Sequence, residues 1–371
     1  MNIAMFGHKR IPSREGGVEV VVEELTTRMA ERGHQVSCYN RKGHHVSGSD
    51  FDTNIGDSYK GVKILSAWTI DKKGLAAMTS SLSAAISATL SKADVVHIHA
   101  EGPAAMCWIP KLRGKRVIVT IHGLDWARAK WGGFASKYIK WGEKQAAKHA
   151  DEIIVLSKDV QEYFKKTYNR KTVYIPNGVN RPVNVEPDVI NNKWGLEKDQ
   201  YVLYVGRIVP EKGLNYLIEA WKELKTDKKL VITGGSSDTQ DYMNELKEYA
   251  GNDVIFTGFQ QGVVLDELFS NCYIFCLPSD LEGMPLSLLE AMSYGNCCVV
   301  SSIPECTEVT ESNAVVFRKS DVEDLREKLQ ALINDPVQVD GYKRKSADYV
   351  CRKYSWDDIV QQVLRLYCNE K

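Results

Sequence analysis

Short, continuous apolar runs recur along this chain, each followed by a polar or glycine-bearing loop and then a stretch with helical spacing. Residues 2–7, 35–40, 62–67, 93–100, 117–121, 152–156 and 172–175 form one series, and residues 201–206, 230–233, 254–257, 273–277 and 297–301 form a second. Runs of this kind read as strands buried on both faces, and strands alternating with helices specify parallel sheets covered on both sides. The fold class expected is therefore α/β. Between the two series, residues 181–200 contain Pro182, Pro187 and many polar side chains, which marks a linker. The expected organisation is a first domain over residues 1–180, the linker, a second domain over 201–355, and a closing helix over 356–371. In that helix Ile359, Val363, Leu366 and Tyr367 make an apolar stripe. A chain of 371 residues with 43% hydrophobic content can fill two separate cores.

Within this rhythm the glycines are placed where ligands approach backbone. Gly16 and Gly17 stand between the first strand and the helix 18–32, a strand–loop–helix order that suits a phosphate, with a plain turn as the alternative. The loop does not match GxGxxG, so no dinucleotide fingerprint is claimed. The segment 282–295 carries more information. Glu282, Gly283, Met284 and Pro285 form a turn; Pro285 suits a first helical position, Leu286, Leu289 and Met292 give one apolar face, and Gly295 ends the helix. Glu282 then lies just before the helix and Glu290 on its second turn, with the unbonded first-turn amides between them suited to a diphosphate. The spacing alone is common, recurring at Glu15/Glu23, Glu23/Glu31 and Glu211/Glu219. Only at 282–290 does Gly-x-Pro follow the first glutamate and an apolar helix face carry the second.

Charged and polar residues just beyond a strand's carboxyl end are where open α/β sheets bind ligands. His122 and Asp125 stand there after the run 117–121, as do Arg207 and Lys212 after 201–206. His97 and His99 alternate onto one face of their strand and read as core or cleft histidines rather than as a metal pair. His44-His45 lacks metal-ligand spacing, and Asp50-x-Asp52 sits in a Ser/Gly/Asp-rich loop with no flanking buried strand, so no metal site is assigned.

The net charge of zero hides a split. Residues 1–180 carry 27 Lys+Arg against 17 Asp+Glu, the remainder 21 against 31, and all eight histidines lie in the first half. A basic half suggests an anionic partner or surface. Lys137, Lys140, Lys144 and Lys148 form one helical stripe, with Trp126, Trp131, Phe134, Tyr138 and Trp141 close by. The stripe fits an anionic membrane or lipid-pyrophosphate acceptor, and fits equally an ordinary amphipathic helix on the sheet. Nothing accompanies it that reads a nucleic-acid groove. Nine scattered cysteines form neither a disulfide framework nor a CxxC pair, so reduced thiols in a cytoplasmic protein are expected. His8-Lys9-Arg10 interrupts the first apolar run before a signal-peptide core forms, and no run of about 18 apolar residues is present to span a membrane.

Taken jointly, Gly16-Gly17, the segment from His122 to Trp126, Pro176-Asn177-Gly178-Val179, Gly206-Arg207 with Lys212-Gly213, and the segment 282–295 resemble the retaining family 4 glycosyltransferases over nearly the whole chain. The region around His122 is similar to bacterial capsule, exopolysaccharide and lipid-linked oligosaccharide transferases, some of them rhamnosyltransferases. The resemblance implies the GT-B fold: two Rossmann-like domains with parallel sheets facing a central cleft, the first on the acceptor side, the second binding the nucleotide sugar. It implies transfer of a hexose or deoxyhexose from a nucleoside diphosphate, UDP or dTDP, to a glycan or lipid-linked acceptor, with retention and no metal or other cofactor. By the same resemblance Arg207 and Lys212 neutralise the departing diphosphate and Glu282 with Gly283–Leu286 holds the sugar. His122 and Asp125 complete the sugar site. Glu290 takes the ribose, Gly206, Gly258 and Phe259 lie at the nucleotide, and Gly16-Gly17 lies against the phosphates. A GT-B nucleotide-sugar epimerase or hydrolase, or a non-catalytic sugar-nucleotide-binding protein, would use the same grip.

Overall fold

The computed structural model describes residues 1–43, 56–72, 75–127, 133–235 and 240–369. The chain divides into two compact units, the first comprising Met1–Asn177 together with the segment that starts at Trp356, the second Gly178–Ser355.

The first unit is built on eight described strands: β1 (Asn2–Phe6), β2 (Gln35–Arg41), β3 (Ser58–Tyr59), β4 (Val62–Ala67), β5 (Val95–His99), β6 (Arg116–Ile121), β7 (Glu152–Val155) and β8 (Val173–Tyr174). Their order is β3-β4-β2-β1-β5-β6-β7-β8, parallel except for the β3/β4 pair. The chain first works outward from β1 through β2, then crosses to β5 on the other side of β1, so the strand order reverses between β1 and β5. That reversal opens a crevice at the carboxyl ends of these two strands.

Helices α1 (Gly17–Glu31), α2 (Leu75–Leu90), α3 (Glu101–Ala104), α4 (Trp108–Lys111), α5 (Gly133–His149) and α6 (Lys158–Tyr168) cover the sheet. The central strands contribute Phe6, Val96, Ile98, Val117, Val119, Ile121 and Ile153 to one core, against Ala84, Ala85 and Ala88 of α2 and Phe164 of α6. Each large apolar side chain buried there contributes on the order of 2 kcal/mol. The alanines let α2 lie close to the sheet. They also hid this helix from the sequence reading, because an Ala/Ser pattern offers little contrast between faces.

The second unit holds α7 (Val189–Trp194), then β9 (Tyr201–Val205), α8 (Leu214–Lys222), β10 (Lys229–Thr233), α9 (Gln240–Tyr249), β11 (Val254–Gly258), α10 (Val263–Asn271), β12 (Ile274–Leu277), α11 (Leu286–Ser293), β13 (Cys297–Ser301), α12 (Pro304–Thr310) and β14 (Val315–Phe317), and closes with α13 (Val322–Asn334) and α14 (Pro336–Lys353). The strands are all parallel in the order β11-β10-β9-β12-β13-β14, and this sheet reverses between β9 and β12.

One boundary differs from the sequence reading. Residues 181–200 are structured and belong to the second unit. Ile190 of α7 is fully buried, and the Glu267 carboxylate accepts the backbone N–H groups of Asp188 and Ile190 at 3.1 and 3.0 Å. Polar composition there serves capping rather than flexibility. The final helix α15 (Trp356–Tyr367) clusters with the first unit, packed on α1. Trp356, Ile359, Val360, Val363 and Tyr367 form its buried face, Leu366 being only half-buried. Arg28 and Arg32 of α1 meet Asp357 at 3.2 and 3.1 Å.

Candidate active site

In the second unit the reversal point between β9 and β12 gathers charge. After β9 the chain makes a single 3₁₀ turn, Pro210–Lys212, and enters α8 through Gly213. Gly213 has φ of 65°, and a Cβ there would lie 2.2 Å from the Pro278 carbonyl oxygen, so only glycine permits the β9 and β12 loops to touch. The Asp280 N–H donates to the Glu211 carbonyl at 3.0 Å, and the Tyr216 hydroxyl donates to Asp280 Oδ2 at 3.0 Å. Lys212 Nζ, fixed by this junction, donates to Glu282 Oε1, which also accepts the Ser279 hydroxyl at 2.7 Å. Ser279 is fully buried, and its carbonyl accepts the Ser301 hydroxyl at 2.6 Å. The Lys212 and Glu282 side chains are only 13% and 7% exposed, so each is costly to leave without the other.

Beside this pair the strand ends are paved with glycine. Gly206 donates to the Thr233 carbonyl at 3.0 Å, Gly234 to the Gly258 carbonyl at 2.9 Å, and Ile208 to the Gly235 carbonyl at 3.0 Å. A Cβ on Gly234, at φ of 150°, would sit 1.8 Å from the Gly206 carbonyl oxygen, and one on Gly206 would meet the Tyr204 hydroxyl at 2.6 Å. That hydroxyl donates to the Arg207 carbonyl at 2.9 Å and fixes the loop that bears the half-buried guanidinium. Gly234-Gly235 was missed in the sequence, although a glycine pair directly after an apolar run is the visible signal. Gly258 is exposed at the end of β11 with Phe259 half-buried after it.

Helix α11 begins one residue later than its sequence suggests. Pro285, at ψ of 101°, is the N-cap rather than the first helical residue, and its carbonyl accepts from Leu288 and Leu289 at 3.2 Å each. The Gly283–Leu286 backbone thus leads into the amino-terminal end of α11, where the unbonded amides and the helix dipole favour an anion. Met284 is buried and anchors the turn, and Glu290 is half-buried on the second turn.

The first unit's crevice is occupied by histidine. Gly7, at φ of 109°, comes so close to β5 that a Cβ would lie 2.1 Å from the His99 carbonyl oxygen. His99 Nδ1 and His122 Nε2 are 3.0 Å apart; His97 bridges the Tyr367 hydroxyl at 2.6 Å and the Thr120 hydroxyl at 2.7 Å. His97 and His99 are fully buried with ring centroids 4.2 Å apart, in accord with a shared face, and His97 is a hydrogen-bonded core histidine. Burial holds His97 down to about 3 and His8, which bonds Asn40 at 3.0 Å, down to about 4, and it pushes His99 in the same direction. His8, His97 and His99 are thus neutral at physiological pH.

His122 and Asp125 lie beyond β6, next to His99 at the end of β5, while Gly16 and Gly17 open α1 after β1. At Gly16 the buried Glu19 turns back: a Cβ there would lie 2.6 Å from Glu19 Oε2, and Oε1 accepts the Lys9 N–H at 2.9 Å. The helix therefore brings its own carboxylate to its amino-terminal end. Lys137, Lys140, Lys144 and Lys148 are exposed along α5, with the Lys140 ammonium 3.9 Å from the Trp126 ring centroid and Trp141 43% exposed. His44, His45, Asp50, Asp52 and Trp131 lie outside the described residues, as does the side chain of Phe134. Among the described residues no three or more His, Cys, Asp or Glu side chains are arranged to hold a metal ion. None of the described helices is long and apolar enough to cross a membrane. All nine cysteines are free thiols.

Two doubly wound units, each with a mostly parallel sheet whose strand order reverses near its middle, define the GT-B class of fold. A family described as Glycosyltransferase Family 4 matches residues 15–181, and one described as Glycosyl transferases group 1 matches residues 188–353. The UDP-Gal:alpha-D-GlcNAc-diphosphoundecaprenol alpha-1,3-galactosyltransferase of Escherichia coli is 30% identical across 66% of this chain and 68% of its own length. An uncharacterised glycosyltransferase of Methanocaldococcus jannaschii is 25% identical across 99% of this chain and 98% of its own. In fold, sucrose-phosphate synthase from Thermosynechococcus elongatus superposes with a TM-score of 0.84 at 20% identity, over 99% of this chain and 98% of that one. The chain belongs to the family 4, group 1 glycosyltransferases.

Proposed function

We propose that the protein transfers a hexose or deoxyhexose from a UDP- or dTDP-linked donor to a glycan or lipid-linked acceptor in bacterial surface polysaccharide synthesis, with retention at the anomeric carbon and without a divalent metal. The observation that carries this reading is the largely buried Lys212–Glu282 pair at the reversal point of the second sheet, with Arg207 on the same loop. As the glycosidic bond breaks, negative charge grows on the diphosphate, and fixed cations stabilise it most in the transition state. Lys212 and Arg207 supply that charge, helped by the amino-terminal end of α11. Glu282 and the Gly283–Leu286 backbone hold the sugar, Glu290 the ribose, and Gly206, Gly258 and Phe259 the nucleotide. His122 and Asp125 contribute contacts to the sugar, and Gly16-Gly17 to the phosphates.

Retention is assigned to front-face substitution, in which the acceptor hydroxyl attacks from the side the diphosphate leaves and passes its proton to the leaving oxygen. The Escherichia coli relative carries a UDP-sugar and a diphosphoundecaprenol-linked sugar in its name, which favours a lipid-linked acceptor here. The same reading places the protein in the cytoplasm, with the α5 lysines against the inner membrane face. Release of nucleotide and thermal stabilisation across UDP-, dTDP- and GDP-sugars test it, repeated after exhaustive chelation. Release from a UDP- or dTDP-sugar that survives chelation is expected. Release from none of them refutes transfer, and loss restored by Mg²⁺ or Mn²⁺ refutes the metal-free account.

A further inference from the structure

Glu101 and Glu143 have no part in the roles assigned so far, yet both are fully buried in the first unit. Glu101 opens α3 directly after Ala100, a non-glycine residue held at φ of 74°. Glu143 reaches it from α5, and the two helices can cross only because residue 142 is glycine. A Cβ on Gly142 would lie 2.0 Å from the Glu101 carbonyl oxygen and 3.2 Å from the Ala105 nitrogen.

Glu143 accepts three hydrogen bonds, from Trp126 Nε1 at 3.1 Å, from the Tyr163 hydroxyl at 2.8 Å and from the Tyr168 hydroxyl. Glu101 Oε2 accepts the Asp125 N–H at 2.8 Å. Its other oxygen is buried and meets no hydrogen-bond partner, and the Glu143 carboxyl is near enough to raise that of Glu101. Two ionised carboxylates in contact in the interior repel; one proton between them turns that repulsion into a charge-assisted O–H···O⁻ bond. Glu143 has three donors aimed at it. Glu101 keeps the proton, because burial first and then the Glu143 carboxyl raise its own far above the usual range.

Both members of this pair hold the same turn, Asp125–Ala127: Glu101 by the Asp125 amide, Glu143 by the Trp126 indole. We infer that Glu101 and Glu143 are positioning residues for sugar transfer, a buried two-carboxyl clamp that fixes the turn and, through it, the placement of Asp125 and His122 against the transferred sugar. The inference rests on the reading of His122 and Asp125 as sugar contacts.

The test uses the full chain and compares Glu101→Ala, Glu101→Gln, Glu143→Gln, Trp126→Phe and His122→Ala by kcat, donor KM, melting temperature and affinity for free UDP and dTDP. Displacement of a substrate-positioning group by an ångström costs on the order of 10²-fold in rate. Glu101→Ala and Glu143→Gln are therefore expected to lose about 10- to 100-fold in kcat with unchanged affinity for the free nucleotide. Glu101→Gln keeps an acceptor for Asp125 and offers an N–H to Glu143, so it should restore most of the rate lost in the alanine variant. Trp126→Phe removes a single donor and decides the matter if Glu143→Gln does not fold; several-fold loss of kcat at an unchanged melting temperature is expected. Wild-type kcat in folded Glu143→Gln or Trp126→Phe, or a Glu101→Gln as poor as Glu101→Ala, overturns the clamp. If His122→Ala loses transfer in the same series, only the clamp has failed; if His122→Ala transfers at the wild-type rate, the sugar-site reading has failed first.

Discussion

The two units build the same crevice from opposite materials. At the reversal point of the first sheet, β1 and β5 end among His8, His97 and His99, which burial keeps uncharged, with His122 beside them, and the neighbouring Glu101 holds its proton. At the reversal point of the second, β9 and β12 end in glycines and a charged lysine–glutamate pair. The first unit lines the ends of these strands with neutral histidines and carries its lysines outward on α5; the second brings charge to the strand ends. A neutral, hydrogen-bonding surface suits hydroxyl groups, and a charged one suits a departing diphosphate. One topology thus carries two kinds of surface because the loops, not the sheet, decide them.

The largest expected effect is on the charged side. Lys212→Ala should reduce kcat by about 10²-fold, the ~3 kcal/mol typical of losing one partner that stabilises developing charge. Its melting temperature should also fall, since Glu282 loses its partner in a largely buried place. Stability alone therefore does not separate a catalytic lysine from a structural one. The comparison that does is between a natural donor and one with a better leaving group. The activated donor should recover part of the lost rate, and equal losses with both donors would mean that Lys212 only holds the loop.

Much of this was legible in the sequence for a physical reason. Strands buried on both faces must be continuous apolar runs, so β1, β5, β6, β7, β9, β10, β12 and β13 announced themselves, while the three-residue β14 did not. Glu282 stood out because glycine and proline follow it in an order that only a turn entering a helix needs. The Glu101–Glu143 pair was not legible, because it depends on α3 crossing α5 at Gly142, and a single helical glycine does not say what passes over it. The proline-bearing stretch before β9 read as a linker because its polar side chains were counted as solvated, whereas Glu267 on α10 caps it from the far side of the sequence.

The neutral side predicts a smaller effect, with a defined sign. His97 has its pKa lowered from 6.5 to about 3 in the folded protein, so below about 6.5 the unfolded chain takes up a proton that the native one refuses. Its contribution is fully present above that value and is lost as pH falls toward 3. At about pH 5 the loss amounts to roughly 2 kcal/mol. Glu101 works in the opposite direction, since its raised pKa favours the native state as pH falls toward the usual carboxylate range. The two are separated by difference: denaturant unfolding at about pH 7 and pH 5 should show a smaller acid-induced loss in His97→Gln than in wild type by about that amount. Identical losses in both proteins would show that His97 titrates normally and that the cluster is not neutral by burial.

The smallest effect tests where the first unit puts its charge. Lys137, Lys140 and Lys144 are exposed on α5, while Glu143 on the same helix is fully buried, so the helix turns its lysines outward and its carboxyl inward. If the outer stripe meets an anionic membrane, each lysine contributes ~1 kcal/mol to attraction near the surface. Changing all three to Glu should then abolish most binding to vesicles rich in anionic lipid, leave neutral vesicles unaffected and leave donor affinity nearly intact. Lys140 carries a second duty, because its ammonium lies over the Trp126 ring whose indole donates to Glu143. A Lys137→Glu/Lys144→Glu pair avoids that contact and isolates the surface term. Its effect should fade with salt, since charges beyond ~10 Å are screened at ordinary ionic strength. Undiminished binding of the pair to anionic vesicles at low salt would leave α5 as a solvated helix face and place any membrane contact on another part of the first unit.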